Sequence, residues 1–280
     1  MALADLTTAA AVQTWCGVTP STSADAQFSG LATAASRVVM NYINRPALNR
    51  TTFVELYDGN GKDRMLIRNW PVASISSLMI NGITIPQSTG TPGTTNATAN
   101  GYWLESAEVA PPGQMQSLYL YGYCFQKGIQ NIGLSYVAGY FISGEAQAIV
   151  SGGETITVDQ PFGPWSSDLG VTFANGTALT AVSASATPTT GQYQIVAGNP
   201  GQYKFAAADD GKGVLISYNY TPQDLFQATT ELAGERYSYK ARIGQTSRSV
   251  GGQETTSFSL KSMPDFVKAV IDQFRNVVPY

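Results

Sequence analysis

Residues 53–86 read FVELYDGNGKDRMLIRNWPVASISSLMINGITIP, and the rhythm of their side chains decides the fold. Phe53, Glu55 and Tyr57 alternate with Val54 and Leu56, a period of two that predicts a strand. Asp58-Gly59-Asn60-Gly61 turns the chain, and residues 65–68 are expected to run back as the second arm of a hairpin. Beyond Trp70-Pro71-Val72, residues 75–80 and 83–85 flank Asn81-Gly82, a pair suited to a type I′ turn because both positions need positive φ. The DGNGKD stretch is not a calcium loop: Lys62 occupies a ligand position and no Glu closes it.

Upstream the period lengthens to that of a helix. Residues 6–16 carry alanines with Val12 and Trp15 and stop at Gly17, a residue suited to the left-handed C′ position. Thr22-x-x-Asp25 has capping-box spacing, with Asp in place of Glu or Gln. Phe28, Leu31, Ala35, Val38, Val39 and Tyr42 then recur at steps of three and four, the apolar face of a helix that ends near Arg45-Pro46. Far downstream, Thr221-Pro222-Gln223-Asp224 offers an N-cap, a proline at the first helical position and an acid. Leu225, Phe226, Thr229, Leu232 and Ala233 supply that helix's buried face. Ser262-x-x-Asp265 repeats the capping spacing before a last helix lined by Phe266, Val270, Ile271 and Phe274. The chain closes with Val277-Val278-Pro279-Tyr280.

Strands are expected at 102–105, 117–123 and 129–137, and residues 87–101 form a Thr/Gly/Asn/Pro segment without periodicity, expected as a mobile loop. LSYVAGY at 134–140 is echoed by ISYNYTP at 216–222. Between them the chain is poor in charge and rich in Gly, Ser, Ala and Thr. Short alternations at 156–158, 170–173, 179–183, 192–196, 202–205 and 213–220 predict a small β-sandwich or barrel. The expected fold class is therefore α+β. Residues 1–141 and 216–280 form a helical core with an antiparallel β part, and 142–215 form an inserted, sandwich-like all-β domain whose ends lie close together.

Composition narrows the chemistry. The formal net charge is −3 and no basic run exists, whereas a protein that grips nucleic acid needs a cationic surface to release counterions. Histidine is absent, which removes the commonest general base and zinc ligand and every Ser-His-Asp or Cys-His arrangement. Cys16 and Cys124 form no metal or disulfide pattern and are expected to be small buried apolar residues in reducing surroundings. Gly61-Lys62 and Gly211-Lys212 lack the rest of a phosphate-binding loop. Asp209-Asp210, just before Gly211, reads as turn chemistry. No enzymatic activity, cofactor or metal is expected. Trp103, Trp165 and Tyr193 are the aromatics available for a sugar platform, in competition with simple packing. The first fourteen residues lack the basic start and apolar middle of a secretory signal, and the longest apolar run, 118–125, is too short to cross a bilayer. A soluble chain made in the cytoplasm, with no membrane partner, is expected.

The collinear order of AASRVVMNYINRP at 34–46, FVELYDGNGKDRMLIRNWPV at 53–72, ISSLMINGITI at 75–85, LSYVAGY at 134–140 and TPQDLFQATTELAGERY at 221–237 resembles the head–tail connector (adaptor) proteins of tailed bacteriophages. The resemblance covers residues 1–141 and 216–280. It implies a structural virion protein of the head–tail junction, assembled as a ring, usually of twelve copies, between the portal and the next neck or tail component. Such a ring extends the DNA channel and lets DNA pass without specific binding. It also implies a C-terminal arm, residues 262–280, that docks on the portal protein through Phe266, Val270, Ile271, Phe274, Val278 and Tyr280. The aromatic- and glycine-bearing 142–215 segment suggests an alternative, a phage tail or receptor-binding module with carbohydrate affinity.

Overall fold

Thr8 starts the first helix, α1 (Ala9–Trp15), by accepting a hydrogen bond from the Ala11 N–H at 3.2 Å. That contact satisfies one of the amides a helix N-terminus leaves unpaired. At the other end Gly17 takes φ 67°, and the amides of Gly17 and Val18 return to the carbonyls of Thr14 and Gln13. This is a Schellman cap, and the glycine is there because its φ is positive. α2 (Thr22–Ile43) ends at Asn44, φ 52°, two residues before Pro46. α3 (Gln223–Tyr239) starts one residue after Pro222, which stands at the N-cap without a side-chain bond. α4 (Asp265–Ile271) likewise starts from Pro264. The computed structural model describes residues 5–19, 22–89, 99–108, 110–152, 155–240, 247–250, 254–257 and 263–277, with backbone alone for 22–24 and 247–257.

These helices make one of two compact units, Met1–Pro46 with Pro222–Val277. Its interior takes Phe28, Ala32, Ala35, Val39 and Ile43 from α2, Leu225, Ala228 and Leu232 from α3, and Val267 and Ile271 from α4. The buried positions of α2 follow steps of three and four, as an amphipathic helix requires. Polar ties cross the unit: Leu6 N–H donates to Ser36 Oγ at 2.8 Å, Thr7 and Thr230 share a hydroxyl bond at 2.6 Å, and Asn276 N–H donates to the Ile43 carbonyl at 2.7 Å. A two-stranded hairpin, Ser247–Val250 with Glu254–Ser257, lies in the same unit.

The other unit, Ala47–Thr221, is built on strands. They run β1 (Thr51–Gly59), β2 (Arg64–Leu66), β3 (Val72–Ile80), β4 (Ile83–Thr84), β5 (Gly101–Leu104), β6 (Ser117–Tyr121), β7 (Gly128–Ala138), β8 (Phe141–Ala148), β9 (Thr155–Thr157), β10 (Trp165–Phe173), β11 (Thr180–Val182), β12 (Gln192–Ile195), β13 (Gln202–Phe205) and β14 (Gly213–Tyr220). The first sheet has the order β1-β7-β3-β4 and the second β2-β6-β5, both antiparallel. Their inward side chains form one apolar core: Tyr57, Leu78, Ile80, Ile132, Leu134 and Tyr136 from the first, Met65, Tyr102, Leu118 and Leu120 from the second. The two sheets thus face each other as a sandwich, each hiding one side and showing the other. A third sheet, β10-β14-β8, and a fourth, β11-β12-β13-β9, follow; β11 and β12 are parallel.

An α+β protein with a helical core is not what this chain forms. Strand accounts for 36% of it and helix for 24%, and the core of the second unit comes from strands and the loops between them. Amphipathic helices are the loudest periodic signal in a sequence, whereas strands of two to eleven residues each contribute only a few inward side chains. Summed over fourteen strands, the weaker signal carries the larger share of the structure. The expected hairpin of β1 and β2 also fails. β1 pairs with β7, and β2 pairs with β6 in the opposite sheet. The Asp58–Gly61 turn therefore carries the chain across the sandwich, held by Gly61 N–H on the Phe125 carbonyl and by Lys62 N–H on Asn60 Oδ1. The turn at Asn81-Gly82, φ 50° and 78°, joins β3 to β4 as expected.

Residues 134–140 end at a backbone crossing. Gly139, φ 136°, donates its N–H to the Pro71 carbonyl at 2.9 Å, and a Cβ there would lie 2.5 Å from the Asn49 carbonyl carbon. Backbone cannot step aside as a side chain can. Gly139→Ala is expected to cost at least about 2 kcal/mol, from the disallowed φ together with the collision, read as a lower urea midpoint at unchanged slope.

Candidate docking surfaces

Glu55 sits on β1 with its side chain turned into the sandwich. Tyr57 Oη donates to Glu55 Oε2 at 2.5 Å, Tyr136 Oη donates to the same oxygen at 2.8 Å, and Asn69 Nδ2 donates to Oε1 at 3.1 Å. Arg68 stacks on the Tyr57 ring, 4.5 Å from its centroid, and its N–H donates to the Tyr57 hydroxyl at 3.2 Å. The same device recurs between the third and fourth sheets. Asp168 accepts from Tyr193 at 2.5 Å and from Tyr203 at 3.0 Å, and Trp165 Nε1 donates to the Tyr203 hydroxyl at 3.0 Å. Glu145 accepts from Tyr218 at 2.6 Å. Burial first, and the carboxylate second, pushes Tyr193 and Tyr218 well above the ordinary phenol range. Tyr136 is pushed up to about 12, chiefly by burial. A carboxylate that accepts from phenol hydroxyls of neighbouring strands is a joint between elements.

Asp209 behaves alike. Fully buried in a 3-10 turn, it pairs with Lys212 Nζ at 2.8 Å and accepts from Gly191 N–H at 2.8 Å. The aromatics named for a sugar platform do not converge: Trp165 and Tyr193 belong to the Asp168 joint, and Trp103 lies on β5 beside Tyr119. Cys124 is exposed, which corrects the expectation that both cysteines are buried; it lies in the loop between β6 and β7, outside the apolar core.

The open surfaces are of another kind. On the outward side of the first sheet, Val54 is 80% exposed, Leu56 54%, and Met79 stands across from them. Gly133 lies between Leu56 and Met79, where an added Cβ would sit 3.8–3.9 Å from both. On the outward side of the second sheet, register aligns Arg64, Tyr119 and Trp103 in one row. At one end of the sandwich a cleft of about 530 Å³ is floored by Ile80, Ile83, Ile85 and Leu120 and rimmed by Asp63, Asn81, Tyr123 and Gln126.

The C-terminal segment divides its residues. Val267, Ile271 and Phe274 are fully buried in the helical unit, Val270 is half-buried, and Phe266 is 59% exposed. Val267 is missing from the sequence expectation, although 267, 271 and 274 have helical spacing. Tyr42 Oη donates to Asp272 Oδ1 at 2.5 Å and Arg275 stacks on the Tyr42 ring, which pins the end of this segment to α2. Val278 and Tyr280 lie outside the described residues.

Buried acids act as joints in the strand-built unit, and exposed apolar side chains such as Val54 and Leu56 stand on its outward side. The family model for head completion proteins matches residues 5–161 and 179–277, and the chain belongs to that family. It is a structural protein of the phage head, near the head–tail junction, and works with other head and tail components. The resemblance to phage connector proteins is borne out. No curated protein matches the chain.

The joints make a pH prediction. A tyrosine that holds its proton to higher pH when folded leaves the native state with more bound protons than the unfolded chain above pH about 10. Stability is therefore complete below about pH 10 and falls as pH rises through the folded value, about 12 for Tyr136. Loss of circular dichroism is expected to set in only above about pH 10, together with ionisation of the joint tyrosines. Tyr136→Phe, which leaves Glu55 and Asn69 short of a partner, is expected to cost about 1–3 kcal/mol at neutral pH. Phe274→Ala is expected to cost about 3–5 kcal/mol by opening a cavity in the helical unit, read by chemical denaturation.

Proposed function

We propose that the chain forms the adaptor ring between portal and tail, docking on the portal through its C-terminal segment and extending the DNA channel. One observation carries this reading. The last helical segment sinks Val267, Ile271 and Phe274 into its own unit, yet holds out Phe266 and, just beyond it, Val277, 59% and 65% exposed. Large apolar side chains held out on an anchored element suit insertion into a groove of a partner. The net charge of −3 suits a channel through which DNA slides without adhering.

Deleting the whole arm is a poor test, since residues 267–274 are core of the helical unit. The informative variants are Phe266→Glu and removal of residues 278–280. Wild-type protein mixed with purified portal is expected to co-sediment and to show a ring in electron micrographs. Each variant, with unchanged thermal stability, is expected to bind at least tenfold more weakly. Wild-type protein that ignores the portal, in particles whose neck lacks density for it, overturns the proposal.

A further inference from the structure

The outward sides of the two sheets point in opposite directions, because the sheets share one core; on the second, Arg64 is exposed while Tyr119, Tyr121 and Trp103 are half-buried. They also differ in kind. The outward row of the second sheet is Arg64, Tyr119 and Trp103, with Tyr121 beside it and Leu66 next in line. Trp103 and Tyr119 lie 5.4 Å apart, and the Arg64 guanidinium stands 5.4 Å from the Tyr119 ring with its Nε on Ser117 Oγ at 3.1 Å. That single bond leaves the two terminal nitrogens of Arg64 without a hydrogen-bond partner among the described residues. Trp, Tyr and Arg are the residue types that dominate protein–protein hot spots. The outward side of the first sheet is the converse: small and flat at Ser135, Gly133 and Ser77, walled by Val54, Leu56 and Met79, with one acid, Asp58, at its edge. Asp58 is exposed, and one of its oxygens accepts only from Gln130 N–H, at 2.7 Å.

We infer that these faces are the two halves of a contact between copies of this chain, the aromatic row of one copy seating over Gly133 of the next and Arg64 pairing with its neighbour's Asp58. Cation and acid match in charge. Because the halves occupy opposite sides of one body, the contact is heterologous and repeats from copy to copy, which is the geometry of a ring or an open filament. The inference rests on the ring reading above and specifies which surfaces close it.

The test uses assembled particles carrying the full chain in a Cys124→Ser background. Val54→Cys and Leu66→Cys, one on each face and both exposed, are treated with a short bis-maleimide. The double variant is expected to give a ladder of dimers, trimers and higher species, and each single variant no cross-link above that of the parent. A single variant that yields dimers means a like-to-like contact and overturns the inference, as does an unladdered double variant. Arg64→Glu and Asp58→Arg are each expected to reduce ring assembly at least tenfold, and the two together to restore it; no rescue also overturns it. Micrographs of the same particles separate the two claims. A neck ring without the ladder leaves the ring standing and removes this contact, while absence of any ring removes both.

Discussion

The face-to-face burial of the first two sheets is the constraint on which the second unit depends. Leu134 and Tyr136 of β7 meet Leu118 and Leu120 of β6 in one core, and apolar area removed from water drives that meeting. β7 is the central element, since it pairs with β1 on one edge and β3 on the other. Gly139, at its end, lets the chain cross beneath residues 49–50. With the inward faces committed to each other, the outward faces are left bare, so the pattern that folds the sandwich also creates its sticky surfaces.

Polar joints then fix what apolar burial leaves adjustable. Hydrophobic contact is non-directional and tolerates sliding, whereas a carboxylate held by two phenols accepts only one register. Glu55, Asp168 and Glu145 each take phenol hydrogen bonds within or between sheets. These joints fix the register of the strands they link. The C-terminal segment follows the same logic in the helical unit: its buried side anchors it and its exposed side is presented.

Much of this was legible in advance. The strands expected at 156–158, 170–173, 179–183, 192–196, 202–205 and 213–220 coincide with β9 to β14, because each combines local alternation with a turn residue on either side. The Gly17 and Asn81-Gly82 turns were equally readable, since positive φ selects for those residues. The fold class was not. Helical periodicity over twenty-two residues outweighs any single short strand, and only pairing reveals how many strands there are. The row of Arg64, Tyr119 and Trp103 was also invisible, because its members stand up to fifty-five residues apart and are joined only by register.

By itself, then, the sequence determined local conformation: where helices start and stop, where the chain turns, which side of each strand is apolar. It also determined the family, because the order of its motifs survives without coordinates. Tertiary structure alone decided which strand lies beside which, that β1 leaves its sequence neighbour for β7, and that the buried side of the last segment is Val267, Ile271 and Phe274. The physical reason is that conformation follows from forces within a few residues, whereas partnership is a competition among all apolar faces at once, settled by the arrangement that buries the most surface while pairing every polar group it can.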